Sequence, residues 1–247
     1  MNFILDSVSS RIVPAIRSSD FMTSKQKLTG KTIAFDLDGT LVDTAPDLIA
    51  ALNHAMQNAN HPTTPDHIVR DKIGHGAKAL IIAAHDYHDL TQDQLEIEKL
   101  LQVFLQYYSQ NSTKISKPFV GAIDCLEKLK NSGAKLTICT NKSEALTLPI
   151  LHKLNMTDYF DGIFCADKVP AKKPDPAHIF AAIAPTKPKN SLMIGDSNTD
   201  LLAAKAASVD CFLLEHGYSE QKVCQLGATK VFSGFVQLTP EIFNWFS

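Results

Sequence analysis

From about residue 114 onward, short apolar runs alternate with helix-length segments, and most runs stop at a polar loop. The runs Leu136–Cys139, Ile163–Cys165, Leu192–Ile194, Cys211–Leu214 and Val231–Phe232 read as strands. Between and around them the spacing predicts helices near 119–131, 143–154, 176–183, 198–206 and 219–226, and a terminal helix. An earlier run, Thr32–Phe35, belongs to the same series. Strands this uniformly apolar are buried on both faces, and parallel neighbours need crossover connections, which the helices supply. The pattern predicts an α/β fold: a doubly wound, mostly parallel sheet with helices on both faces.

One stretch breaks the alternation. Residues 46–113 carry only helical patterns, near 45–58, 65–72, 77–85 and 92–109. In the last, Leu95, Leu100, Leu101, Phe104, Leu105 and Tyr108 recur at helical spacing as an apolar stripe. This block holds 8 of the acids against 4 Lys and Arg, and six of the nine histidines. It reads as an all-helical domain inserted after the first strand, in a core of residues 29–45 and 114–247. Residues 1–28 are Ser-rich and aperiodic, and read as an irregular tail or as an over-long start with Met22 the true beginning. A short targeting arm is the third reading, against which Asp6 and Asp20 count.

Several classes of function are disfavoured. A formal charge of −2 gives no support to a nucleic-acid binder, which needs a cationic surface. No apolar run approaches the ~18–20 residues of a membrane span, and no secretory signal is visible. The five cysteines, Cys125, Cys139, Cys165, Cys211 and Cys224, are widely spaced without a close C-x-x-C pair. They read as buried free thiols in a reducing cytoplasm. Of the histidines in the insert, His54, His61, His67, His85 and His88 read as surface residues.

Four polar segments follow predicted strands. The carboxyl ends of parallel strands form the ligand crevice of such sheets, so these loops can converge. Asp36-Leu37-Asp38-Gly39-Thr40 places two carboxylates two residues apart in extended chain, followed by a glycine that permits a turn. Thr140-Asn141-Lys142 offers a hydroxyl and an amide, and fits a helix cap equally. Lys172-Lys173-Pro174-Asp175-Pro176 offers a fixed positive charge, or a solvated turn. Gly195-Asp196-Ser197-Asn198-Thr199-Asp200 offers two more acids at a helix start, where capping is the simpler reading. Together they suit phosphoryl transfer: carboxylates for a hard divalent cation, a lysine for the phosphoryl charge, and paired acids for attack and proton transfer.

In this order the segments resemble the haloacid-dehalogenase-like hydrolase superfamily, whose core is Rossmann-like, over about residues 31–247. The strings are FDLDGTLVDTAPDL at Phe35–Leu48, TNK at Thr140–Lys142, KKPDP at Lys172–Pro176 and GDSNTD at Gly195–Asp200. The likeness is closest to phosphoglycolate phosphatases, whose helical cap domain sits where residues 46–113 sit here. Arg70 followed by Gly74-His75-Gly76, and the late His216-Gly217-Tyr218, fit that subgroup too. One departure is Ala206-Ala207-Ser208-Val209, where such chains close the helix with a glycine.

The resemblance implies a Mg²⁺-dependent phosphatase for a small-molecule phosphate monoester, 2-phosphoglycolate first, acting as a monomer or homodimer. Asp36 is then the nucleophile that forms an aspartyl-phosphate, and Asp38 the general acid and base. Asp36, the Asp38 carbonyl and Asp196 hold the metal, with Asp200 orienting its shell. Thr140 and Lys173 grip the phosphoryl group, with Asn141 a weaker candidate, and Arg70, Gly74, His75 and Gly76 meet the substrate from the cap. Because Asp38 is present, phosphate chemistry is favoured over dehalogenation. A sugar- or amino-sugar-phosphate phosphatase, a pyrophosphatase, a phosphomutase and a non-catalytic phospho-ligand-binding module are the alternatives.

Overall fold

The computed structural model describes residues 27–247. The readings of the tail and of Met22 concern residues outside these, apart from 27 and 28. Leu28 is buried and its N–H donates to the Ser132 carbonyl at 2.9 Å, so the chain joins the core there.

The core sheet contains β1 (Thr32–Phe35), β4 (Lys135–Thr140), β5 (Gly162–Cys165), β6 (Ser191–Gly195), β7 (Asp210–Leu214) and β8 (Lys230–Phe232). They lie in the order β5-β4-β1-β6-β7-β8, and every pairing is parallel. Side chains alternate across the sheet. Ile33 and Phe35 of β1 enter one apolar cluster with α5 (Ala122–Asn131), α6 (Glu144–Lys153) and α9 (Phe235–Trp245). Ala34 enters another, with α7 (Pro176–Ile183) and α8 (Asn198–Ala206). Both faces are therefore covered, as the continuous apolar runs require.

The first strand is central. The chain builds outward from it to β4 and β5, then crosses over to β6 and builds the other way. The order reverses between β1 and β6, and a ligand crevice forms at such a switch point.

The insert leaves and re-enters through a ribbon that sequence reading missed: β2 (Val42–Asp43) pairs antiparallel with β3 (Lys117–Pro118). Two-residue strands are too short to carry a period. Between them lie α1 (Ala45–Asn58), α2 (Asp66–Val69) running into a 3₁₀ turn at Arg70–His75, α3 (Ala77–Tyr87) and α4 (Gln94–Asn111). The buried Asp47 carboxylate ties the two linkers together, accepting from Ile115 N–H, Ser116 N–H and Ser116 Oγ.

Three expectations are corrected. The helix near 219–226 is only a 3₁₀ turn, Val223–Gln225. Of Ser219–Gln225 only Val223 is buried, and the preceding Tyr218 backbone is committed to Asp196. Cys224 is exposed, while the other four cysteines are buried. Among the histidines, His54 and His67 are exposed, but His61 and His88 are half-buried and His85 is fully buried.

Candidate active site

Strand register brings the first acids together. Phe35 pairs with Ile138 on one side and Ile194 on the other. Asp36 N–H still donates to the Ile194 carbonyl at 2.9 Å, so Asp36 lies level with the ends of β4 and β6. Thr140 closes β4 and Asp196 follows β6. One oxygen each of Asp36, Asp196 and Asp200 lies within 4.8 Å of the others.

Lys173, from the loop before α7, completes the group. Its Nζ is 3.1 Å from Asp36 Oδ1 and 2.6 Å from Asp200 Oδ1, and its side chain is 1% exposed. Burial opposes the lysine charge, but Asp200 and Asp36 outweigh it and hold it protonated. Burial drives the Asp36 carboxyl up to about 7, against the pull of Lys173 and with the help of Asp200 and Asp38. Burial, then Asp200 and Asp36, also push Asp196 well above the usual carboxylate range. When all three acids ionise, Lys173, paired with Asp36 and Asp200, leaves excess negative charge in a desolvated space. An all-oxygen donor set with that charge fits a hard divalent cation.

Each acid has a distinct set of partners. Asp36 Oδ1 accepts from Leu37 N–H at 2.8 Å. Asp196 accepts from Thr40 Oγ1 at 2.8 Å and Tyr218 N–H at 2.7 Å. The backbone packs so close here that a Cβ on Gly217 would fall 2.2 Å from Asp196. Gly39, at φ +82°, faces the same carboxylate, where a Cβ would lie 2.5 Å from Oδ2. Asp200 gives Oδ1 to Lys173, and its Oδ2 accepts from Ser197 N–H and Oγ in a capping box. The capping reading of Asp200 therefore holds alongside its place in the acid trio.

The Asp38 carboxylate stands apart from the trio. Thr44 Oγ1 donates to it at 2.7 Å, and Lys142 Nζ lies 3.1 and 3.2 Å from its two oxygens. Lys142 also sits 4.7 Å from the centre of the Tyr108 ring on α4, a contact between core and cap. Thr140 is buried, and its Oγ1 accepts from Lys142 N–H at 3.3 Å. Asn141 spends its Nδ2 on the Lys173 carbonyl at 2.9 Å, while its buried Oδ1 has no partner.

A cleft of about 200 Å³ opens over these groups, lined by Asp36, Asp38, Thr140 and Asn141 below and by Gly74 and Gly76 from the cap. His75 is exposed and pairs with Glu220 of the core at 3.2 Å, beside Lys72, which reaches the same carboxylate at 2.8 Å. Arg70 pairs with Asp43 at 3.3 Å and lies over the Tyr218 ring, 4.9 Å from its centre. Tyr218 Oη donates to Asp43 at 2.6 Å and accepts from Ala45 N–H.

Lys142 and His178 were not singled out in the sequence as site residues. Lys142 sits inside the quoted TNK string, but nothing local distinguishes it from a solvated lysine. His178 is fully buried in the first turn of α7. Its Nδ1 accepts from Lys173 N–H at 3.3 Å, so Nε2 carries the proton and donates to the Phe164 carbonyl at 3.0 Å. Lys173 is five residues before His178, and the fold brings the Phe164 carbonyl of β5 to the other side of the ring.

Fold and site define a class: a Rossmann-like hydrolase core with an inserted helical cap and an acid trio at the switch point. The model of the haloacid dehalogenase-like hydrolase family matches residues 33–214. A phosphoglycolate phosphatase of Caulobacter vibrioides is 39% identical over 219 residues, covering 88% of this chain and 92% of the relative. One of Agrobacterium fabrum is 38% identical, covering 85% and 91%. A crystal structure of a predicted phosphoglycolate phosphatase from Haemophilus somnus superposes with a TM-score of 0.79 at 30% identity, covering 86% and 97%. The chain belongs to the haloacid dehalogenase-like hydrolase family, in its phosphoglycolate phosphatase-like subgroup, and is a phosphoric monoester hydrolase.

Proposed function

We propose that the protein is a Mg²⁺-dependent phosphatase that converts 2-phosphoglycolate to glycolate and phosphate in the cytoplasm. The observation that carries this is Asp36 held between Lys173 and the other two acids of the trio. The cleft of about 200 Å³ favours a small ester over anything drug-sized, for which pockets run to ~300–1,000 Å³. The relatives' names supply the particular ester. Four buried cysteines agree with a reducing compartment. Among the described residues no helix is long and apolar enough to cross a membrane.

In this reading Asp36, Asp196 and the Asp38 carbonyl hold the cation, and Asp200 fixes the loop behind it. Mg²⁺ supplies positive charge that keeps Asp36 ionised and offsets the phosphoryl oxygens. The Asp36 oxygen not held by Leu37 attacks phosphorus, and the ester P–O bond breaks. Asp38 gives its proton to the departing alkoxide, with Thr44 and Lys142 fixing its carboxyl group. Lys173 and Thr140 hold the phosphoryl oxygens, and the cap of residues 46–113 closes over the core to exclude water. Asp38 then takes a proton from the water whose oxygen attacks the aspartyl-phosphate, which frees Asp36 and phosphate. Gly74 and Gly76 let the cap backbone approach the leaving group, while Arg70 on Asp43 and His75 on Glu220 hold the cap to the core.

Phosphate release from a panel of small esters tests this. We expect the highest kcat/KM with 2-phosphoglycolate, dependence on Mg²⁺, and loss of turnover in Asp36→Asn. Preference for a sugar phosphate or pyrophosphate would overturn the substrate. Normal turnover by a folded Asp36→Asn variant would overturn the mechanism.

A further inference from the structure

The cap holds a second set of ligating side chains, which the proposed reaction does not use. His61 follows α1, His85 lies in the last turn of α3, and Glu96 in the first turn of α4. One ligand atom from each lies within 4.8 Å of the others. His61 Nε2 is 2.7 Å from Glu96 Oε1, and the two imidazoles meet edge to face with centres 5.7 Å apart.

His85 is the informative member. It is fully buried, and its Nδ1 lies 3.1 Å from the Thr91 carbonyl, which can only accept. Nδ1 therefore carries the proton, and Nε2 presents a bare lone pair. That buried nitrogen has no hydrogen-bond partner. Buried polar atoms are normally satisfied, so an idle one calls for a ligand. An N–H···O=C bond from the far ring nitrogen is also how metal-binding histidines are oriented.

We propose that His61, His85 and Glu96 form a Zn²⁺ site that ties three elements of the cap together. Two imidazoles and a carboxylate suit Zn²⁺, with water as the fourth ligand, whereas the oxygen-only trio at Asp36 suits Mg²⁺. Binding replaces the His61–Glu96 hydrogen bond with a bond from each side chain to the metal. It draws the ligand atoms to the ~3.3 Å separations that bonds of ~2.0–2.1 Å impose. The His61 and Glu96 side chains, 19% and 37% exposed, have room to make that shift. The site is independent of the phosphatase reading.

Zn²⁺ titration of the full chain, saturated with Mg²⁺ to occupy the catalytic acids, tests the proposal. Calorimetry should show a single high-affinity Zn²⁺ site, and the melting temperature should rise with Zn²⁺ concentration. Co²⁺ in its place should give the intense visible bands of tetrahedral coordination. Glu96→Gln and His61→Asn, both at partly exposed positions, should each weaken Zn²⁺ binding at least ~10-fold, and Asp196→Asn should leave it unchanged. Absence of Zn²⁺ binding, equal binding in the Glu96 and His61 variants, or its loss in Asp196→Asn would overturn the proposal.

Discussion

At the scale of the residue, the position of Lys173 depends on a histidine. Lys173 N–H ends on His178 Nδ1, and the ring is locked by the Phe164 carbonyl. Burial, joined by the nearby Lys173 charge and only partly offset by the Phe164 carbonyl, lowers the His178 pKa from 6.5 to about 4. The unfolded chain therefore binds the extra proton first as pH falls. His178 contributes its full share of stability above about pH 6.5, and loses it progressively as pH drops toward 4. Urea unfolding across that window should show a shallower acid loss in His178→Gln than in the parent. His178→Ala leaves a buried donor unpaired and a cavity, and should cost about 2–4 kcal/mol in the same assay. Lys173 lies only five residues before His178, but the Phe164 carbonyl that fixes the ring comes from β5, so the role was not legible before the fold.

At the scale of the element, most helix and strand identities were legible from period, but the helix expected near 219–226 is only a 3₁₀ turn at Val223–Gln225. The helices at 176–183 and 198–206 fall where expected. The β2–β3 ribbon did not show, because its pairing joins residues some 75 positions apart through two residues on each side. Helix α8 ends without a glycine, and Ser208 itself takes the left-handed conformation, at φ +56°. That conformation costs a residue with a Cβ roughly 1–2 kcal/mol, part of which glycine returns as unfolded-state entropy. Ser208→Gly should therefore stabilise the protein by about 0.5–1 kcal/mol in chemical denaturation, with turnover unchanged.

At the scale of the whole molecule, the site opposes the stability of the fold that builds it. Asp36 and Asp196 both have raised folded-state pKa values, chiefly from burial. Their contribution is fully present below the ordinary carboxylate value of 3.8 and is lost as pH rises, for Asp36 through about 7. A bound divalent cation should reverse this, because it requires the deprotonated acids. The melting-temperature gain from Mg²⁺ over EDTA should thus grow between pH 5 and pH 8, and Asp196→Asn should abolish most of it. The amino-acid order alone determined the parallel sheet, the helical insert and the acids and lysine at the strand ends, since these follow from local periodicity and turn chemistry. Tertiary structure alone decided which oxygen faces which charge. Lys142 on Asp38, His178 on the Phe164 carbonyl, Tyr218 against Asp196 and Arg70 on Asp43 each join separate elements. Such pairings depend on sheet register and on the route of the chain into and out of the cap, and no local pattern records either.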